Sequence, residues 1–146
     1  MCGIAGVFGK SDPATVAQML ETLRLRGPDD GHLLSGDRFT IGARRLSIID
    51  VEGGRQPLTN EDQTITAVQN GEIYNFQELR RSLLSAGHRL QTRTDTEVLP
   101  HLWEDEGARL PERIHGMFAL ALWDAREGVG FLARDRMCAA SRPFTG

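Results

Sequence analysis

The chain has few cysteines, no long apolar run and little net charge, and each shortage excludes a class of protein. Its two cysteines, Cys2 and Cys138, are near opposite ends of 146 residues. They form neither a disulfide framework nor a metal knuckle, and they suit a reducing cytoplasm. No apolar segment approaches the roughly 18 residues of a membrane-spanning helix, and the N-terminus lacks the pattern of a secretion signal. The net charge of −3 carries no basic excess for nucleic acid. We therefore expect a cytoplasmic protein with no membrane or nucleic-acid partner.

The periodicity of apolar residues predicts a single domain that mixes helices and strands. The chain is 40% hydrophobic, enough at this length for a real core. Alternating or continuous apolar segments predict strands at 4–8, 32–34, 39–42, 64–68, 117–123 and 129–133. Helices are predicted after the capping residues Asp12, Asn75 and Thr94, with a short one at 111–114. The order lacks strict βαβ alternation and contains a hairpin, which favours a layered α+β sandwich.

The N-terminus places a cysteine directly after the initiator methionine and before a short apolar run. If Met1 is removed, Cys2 carries both a thiol and a free α-amino group. These groups exchange a proton at little cost near neutral pH, and an N-terminal amine is a known base for its own side chain. Cys2 is thus a candidate nucleophile. The alternative is that it is an ordinary small residue entering a buried strand.

The pair Asn70-Gly71 follows the predicted strand at 64–68 and is taken to end it. Asn-Gly is a common turn pair. The functional alternative is an oxyanion hole, in which the Asn70 amide and the Gly71 backbone N–H both point at one developing negative oxygen.

Two charged motifs could read the two ends of a free amino acid. Arg44-Arg45 is either surface charge or a guanidinium fork for a substrate carboxylate. Asp95 either belongs to a helix cap or holds a substrate ammonium group. An arginine for the carboxylate and an acid for the ammonium are the minimal recognition set for an amino acid.

Other motifs do not support a function. The segment 6–11 has the end of a phosphate loop, but isoleucine stands at position 4 where that loop needs glycine. The four histidines show no ligand spacing, so no metal site is predicted and they are expected at the surface or in caps. They are His32, His88, His101 and His115.

Seven segments, in this order along the chain, carry a resemblance to one family. They are Met1–Gly6, Arg26–Asp29, Arg45–Asp50, Asn70–Asn75, Thr94–Glu97, Gly116–Ala119 and Ala133–Arg136. Together they resemble the glutaminase domain of the class II glutamine amidotransferases, which have an N-terminal cysteine nucleophile, of the asparagine synthetase B type. The resemblance covers residues 1–137. It implies an N-terminal-nucleophile fold, a four-layer α/β/β/α sandwich with two antiparallel sheets.

The resemblance also implies a role for each matching residue. Cys2 would attack the side-chain amide of glutamine, and a glutamyl thioester would release first ammonia and then glutamate. Asn70 and Gly71 match the oxyanion-hole positions. Arg45 matches the residue that binds the α-carboxylate of glutamine, and Asp95 and Glu72 match the residues near its amino group. The pocket wall would be the backbone of Leu46, Ser47, Ile48 and Ile49, and a loop with Arg26 and Gly27 would support the nucleophile.

The sequence departs from the family pattern at several points. Leu25 and Ala43 stand where histidine is frequent, and Gln69 stands where an aromatic residue is usual. Residues 138–146 diverge from the expected next strand, and one hypothesis is a frameshift; the rival explanations are a true short domain or a clipped chain. The domain is therefore expected to be C-terminally truncated.

The synthetase domain, to which ATP and magnesium would bind, is absent from the chain, so no cofactor is expected here. The expected partners are L-glutamine and an ammonia-accepting synthetase domain. Two other functions stay open: ammonia donation to another acceptor, or a non-catalytic remnant. Missing terminal strands would leave a sheet edge unpaired and apolar surface exposed, which would invite aggregation or the formation of a homodimer.

Overall fold

The computed structural model describes residues 2–45 and 55–136. Within these ranges the strands are β1 (Gly3–Phe8), β2 (Asp30–Gly36), β3 (Phe39–Arg45), β4 (Leu58–Thr59), β5 (Ile65–Ile73), β6 (Gly116–Asp124) and β7 (Val129–Arg134). The helices are α1 (Pro13–Thr22), α2 (Phe76–Ala86), α3 (Val98–Glu106) and α4 (Leu110–Arg113), with a single 3-10 turn at Gly107–Arg109. The predicted strands and helices are all present, and β4 is an addition inside a segment predicted as loop.

The strands form two antiparallel sheets. The first sheet has the order β1-β3-β2 and the second the order β4-β5-β6-β7. In the first sheet Gly3 pairs with Arg44 and Phe8 pairs with Phe39, so β1 starts where β3 ends. In the second sheet β5 and β6 pair along nine residues, from Ile65 opposite Asp124 to Ile73 opposite Gly116.

One face of each sheet packs against the other sheet. Phe39, Ile41 and Ala43 of β3 form a buried cluster with Val68 of β5 and with Ala121 and Trp123 of β6. The rings of Phe8 and Phe39 stack on Trp123 with centroids 5.7 and 5.4 Å apart. These stacked rings fill one end of the space between the sheets, so the ends of β3 and β5 meet at the other end.

Helices cover the outer faces of both sheets. Leu20 of α1 approaches Gly42 so closely that a Cβ at Gly42 would lie 2.7 Å from the Leu20 Cδ1 atom. On the second sheet, leucines of α2 and α3 pack with Ile65, Ala67 and Ile73 in the larger buried cluster. The layers are therefore helix, sheet, sheet and helix, which confirms the predicted α+β sandwich. None of the helices in the described ranges has the length and apolar character to cross a membrane.

The strand β5 does not end at Asn70-Gly71, so that prediction is wrong. Pairing with β6 continues through both residues to Ile73. Gly71 has φ +134°, a conformation that side chains rarely adopt, and a Cβ there would overlap the Met117 carbonyl oxygen. The glycine lets the strand continue through an irregular residue instead of turning.

Two predicted helix caps and one predicted histidine environment also differ from the structure. Asn75 precedes α2, but its side chain bonds to Arg113 O and His115 N instead of the helix. The residue that precedes α3 is Glu97, not Thr94. His101, predicted at the surface or in a helix cap, is 0% exposed, because it lies on the buried face of α3.

Candidate active site

The strands place two candidate residues, Arg45 and Asn70, at the end of the inter-sheet space opposite the stacked aromatic rings. Side chains alternate between the faces of a strand, so Arg45 shares the inner face of Ala43. By the same rule Asn70 shares the inner face with Val68. Both polar residues are buried, with Arg45 9% and Asn70 3% exposed. The core between the sheets is therefore apolar at the end with the aromatic rings and polar at this end.

Cys2 belongs to the same end of the sandwich. Gly3 pairs with Arg44, so Cys2 comes one position beyond that pair, level with Arg45. It precedes Ile4 by two positions, and Ile4 packs against the inter-sheet cluster. The Cys2 thiol is free and the residue is half-buried. It is therefore not sequestered in the core.

A cavity of about 300 Å³ opens at this end of the fold. Arg45, Glu72 and Asp95, three residues predicted to bind one substrate, all line it. They come from β3, from β5 and from the loop before α3, so only the folded chain brings them together. The other lining residues are Ile73, Tyr74, Phe76, Arg93, Thr94 and Thr96. The lining given by the described residues does not include Cys2, Asn70 or Gly71.

The carboxylate of Asp95 is held against β5 by two hydrogen bonds. Gln69 Nε2 and the backbone N–H of Ile73 each donate to Asp95 Oδ2 at 2.9 Å. Asp95 therefore does not cap a helix. Its orientation is fixed by a strand whose end also carries Glu72.

The sequence reasoning missed three polar residues that fix the Asp95 loop, which are Gln56, Gln69 and Glu97. Gln56 accepts a 2.6 Å hydrogen bond from Gln69 N and donates a 3.1 Å bond to Thr96 Oγ1. Glu97 is 3% exposed and accepts bonds from Gln91 N and from both the N–H and the hydroxyl of Thr92. The available signal was polarity at positions where the pattern calls for apolar residues, most clearly Gln69 in β5.

The predicted supporting loop lies against the backbone that leads to Arg45. A Cβ at Gly27 would overlap the Arg44 carbonyl group and Arg45 N, so only glycine permits this contact. The N–H of Asp29 also donates to Arg45 O at 3.1 Å. The side chain of Arg26 is exposed. The contact of this loop is thus with the Arg45 strand, through backbone atoms.

The remaining predicted pocket residues, Leu46, Ser47, Ile48 and Ile49, lie outside the described residues. The site that can be described is therefore formed by the start of β1, the end of β3, the end of β5 and the Asp95 loop. Its cavity presents the guanidinium groups of Arg45 and Arg93 and the carboxylates of Glu72 and Asp95 at the edge of an apolar interior. Such a set can bind a small zwitterion at both of its charged groups.

Comparison with known families agrees with this arrangement. A family model described as a glutamine amidotransferase domain matches residues 1–144. The chain belongs to this family.

Relatives of this amidotransferase domain include several glutamine-hydrolyzing asparagine synthetases. Asparagine synthetase 3 of Bacillus subtilis is 39% identical in an alignment of 151 positions that covers 99% of this chain and 24% of the relative. Asparagine synthetase 1 of Arabidopsis thaliana is 41% identical over 141 residues, covering 92% of this chain and 24% of the relative. The chain thus spans about a quarter of the length of these curated relatives.

Solved structures share the fold of the domain. A glutamine phosphoribosylpyrophosphate amidotransferase from B. subtilis, complexed with ADP and GMP, superposes with a TM-score of 0.68 at 19% identity. A structure described as the allosteric regulatory enzyme of purine biosynthesis gives 0.68 at 21% identity. Each match covers 92% of this chain and 37% of the other. The likeness confirms the predicted sandwich of two antiparallel sheets between helical layers.

Proposed function

We propose that this domain hydrolyses the side-chain amide of glutamine, with Cys2 as nucleophile, and supplies the ammonia to an asparagine synthetase. The observation that carries the proposal is the shared cavity of Arg45, Glu72 and Asp95 at the end of the sandwich where Cys2 directly precedes β1. The relatives named as glutamine-hydrolyzing asparagine synthetases support the same assignment.

In this proposal the cavity binds the amino-acid end of glutamine. The Arg45 guanidinium pairs with the α-carboxylate, and Asp95 and Glu72 pair with the α-ammonium group. Asp95 is pre-oriented by its bonds to Gln69 and Ile73, which lowers the cost of ordering it on binding. Arg26 and Gly27 act on the site indirectly, through the backbone beneath Arg45.

The reaction proceeds through a thioester on Cys2. The α-amine of Cys2 takes the proton of the Cys2 thiol, and the resulting thiolate attacks the amide carbon of glutamine. The Asn70 amide and the Gly71 N–H stabilise the resulting oxyanion. The C–N bond of the amide then breaks, and the leaving nitrogen takes the proton from the α-ammonium group of Cys2 and departs as ammonia. Water attacks the thioester, giving its proton to the amine, and glutamate and the free thiol are released.

The proposal also names the acceptor of the ammonia. The names of the relatives favour aspartate, which an ATP- and magnesium-dependent synthetase domain would amidate. This domain itself would need no cofactor. The cytoplasm is the compartment we propose for it.

Glutamate release from glutamine by the purified protein tests the proposal. We expect activity in the wild type and none in Cys2→Ala, because the alanine leaves no nucleophile. Asp95→Asn should raise KM for glutamine by roughly tenfold or more, since a charge-assisted contact of about 1.5–3 kcal/mol is lost. Intact mass must show that Met1 is absent, because a retained methionine blocks the Cys2 amine.

The outcome that contradicts the proposal is a folded wild type, with Cys2 at its N-terminus, that releases no glutamate. This result would favour a non-catalytic remnant. With the synthetase domain present, formation of asparagine from aspartate and ATP tests the acceptor. Glutamate release without any asparagine would favour a different acceptor.

A further inference from the structure

Four ionisable side chains converge near the start of β5, away from the candidate active site at its end. Glu61 lies in the turn before β5, His88 follows α2, and His101 and Glu104 belong to α3. One nitrogen or oxygen atom of each residue lies within 4.8 Å of the other three. His101 and Glu104 are three positions apart, which places them on one face of the helix.

The separations between these atoms match the edges of a small tetrahedron. Zinc bonds of about 2.0–2.1 Å to nitrogen and oxygen place tetrahedral ligand atoms about 3.3 Å apart. The Nδ1 atoms of His88 and His101 are 3.3 Å apart, and His101 Nδ1 is 3.3 Å from Glu61 Oε2. His88 Nδ1 is 3.5 Å from Glu104 Oε2. Three edges are therefore already near the required length.

Outer contacts orient His88 through the ring nitrogen that faces away from the cluster. Both oxygens of Asp105 lie near His88 Nε2, at 3.2 and 3.3 Å. In the neutral tautomer that donates its Nε2 proton to this carboxylate, the Nδ1 lone pair faces the cluster. This carboxylate–histidine arrangement is the one that commonly supports a metal-binding imidazole.

The two glutamates are oriented in the same way. Glu61 accepts a 2.5 Å hydrogen bond from Arg89 N at Oε1, which leaves Oε2 facing His101. Glu104 Oε1 lies 3.2 Å from Arg126 Nη2, and its Oε2 faces His88. In each case an outer donor holds one oxygen and the other oxygen faces a histidine of the cluster, although Glu61 Oε1 also lies 3.7 Å from His88 Nδ1.

The cluster has more lone pairs than protons to share. The Nδ1 atoms of His88 and His101 are 3.3 Å apart, so only one of these two atoms can carry a proton. With two carboxylates beside them, a divalent cation would satisfy these lone pairs together.

We propose that Glu61, His88, His101 and Glu104 bind one divalent transition-metal ion, and that zinc fits the site best. Two imidazoles and two carboxylates are within the ligand preferences of zinc, and four protein ligands are typical of a structural site. The ion would tie the turn before β5 and the segment after α2 to α3. Its binding does not depend on the proposed glutaminase activity.

Titration of the full chain with Zn²⁺ in competition with a chromophoric chelator tests this site. We expect one tight site in the wild type. Glu61→Gln and Glu104→Gln should each weaken it by at least 10–100-fold, the usual effect of losing even an outer partner. The matched control is Glu106→Gln, a carboxylate on the same helix that pairs with Arg109 and Arg113 outside the cluster. This control should keep wild-type affinity.

A cobalt spectrum of the wild type provides a test that needs no variant to fold. Four-coordinate Co²⁺ in the chelator-treated protein should give the intense visible bands of a tetrahedral site, and one equivalent of Zn²⁺ should abolish them. Weak octahedral bands would overturn the proposal. So would equal zinc affinities of the wild type and the Glu61→Gln/Glu104→Gln double variant, which would indicate a cluster held by shared protons alone.

Discussion

Gln69 donates a hydrogen bond from Nε2 to Asp95 Oδ2 at 2.9 Å, joining the middle of β5 to the loop before α3. Gln69 is 1% exposed, so water does not compete for its amide. Here an amide fixes the direction of a carboxylate that lines the cavity, which makes Gln69 a positioning residue.

Replacement of Gln69 by leucine should therefore weaken substrate binding. Gln69→Leu keeps the approximate size of the side chain but removes one of the two donors to Asp95. We expect KM for glutamine to rise roughly tenfold with kcat changed much less, because a hydrogen bond to a charged group contributes about 1.5–3 kcal/mol. Steady-state glutamate release measures both constants. Gln77→Leu on the exposed surface of α2 is the control, and a lower melting temperature with unchanged KM would contradict the positioning role.

The sequence predicted the elements whose signals are local. Apolar alternation locates β3 and the first part of β5, and Asp12 with Pro13 marks the start of α1, where Asp12 Oδ1 accepts a bond from Thr15 N. Motif resemblance then identified Arg45, Glu72 and Asp95, which the fold brings to one cavity. Their proposed roles, and those of Cys2, Asn70 and Gly71, remain predictions.

The features that the sequence did not predict depend on partners far away in the chain. The continuation of β5 past Gly71 depends on pairing with β6, more than 40 residues later. The side chain of Asn75 bonds to the backbone near position 114 and so is lost to its helix. Gln56 bonds to Thr96 Oγ1 across 40 positions. No local pattern specifies such contacts.

Alanine at Gly71 should destabilise the fold far more than alanine at Gly87. Both glycines have positive φ, +134° and +104°, so both substitutions introduce backbone strain. A Cβ at Gly87 meets nothing within 4 Å, whereas one at Gly71 overlaps the Met117 carbonyl oxygen. We expect losses of about 1 kcal/mol for Gly87→Ala and about 3 kcal/mol or more for Gly71→Ala. Urea unfolding measures both, and equal losses would show that β5 and β6 adjust without cost.

The stability contributed by Asp12 should depend on pH. Its contacts with Lys10 Nζ and with Thr15 N lower the pKa of Asp12 to about 2. Because the folded-state pKa is lowered, the contribution is present above about pH 4 and is lost as the pH falls toward 2. The difference in urea midpoint between wild type and Asp12→Asn should therefore shrink from pH 5 to pH 2.5. Lys10→Gln should reduce this pH dependence, and a difference that is constant with pH would contradict the assignment.

Replacement of Glu97 by glutamine should loosen the loop that carries Asp95. The Glu97 carboxylate accepts bonds from Gln91 N at one oxygen and from Thr92 N and Oγ1 at the other. The amide of Glu97→Gln has one accepting oxygen, so its NH₂ group must face donors that it cannot satisfy.

We expect Glu97→Gln to lower the free energy of unfolding by about 1–3 kcal/mol, since Glu97 is 3% exposed and water does not replace the lost bonds. KM for glutamine should rise as well, because Asp95 lies two positions earlier on the same loop. Urea unfolding and glutamate release measure the two effects. Glu112→Gln, at an exposed position of α4, is the matched control. A loss of stability with unchanged KM would mean that the bonds of Asp95 to Gln69 and Ile73 hold the carboxylate without help from Glu97.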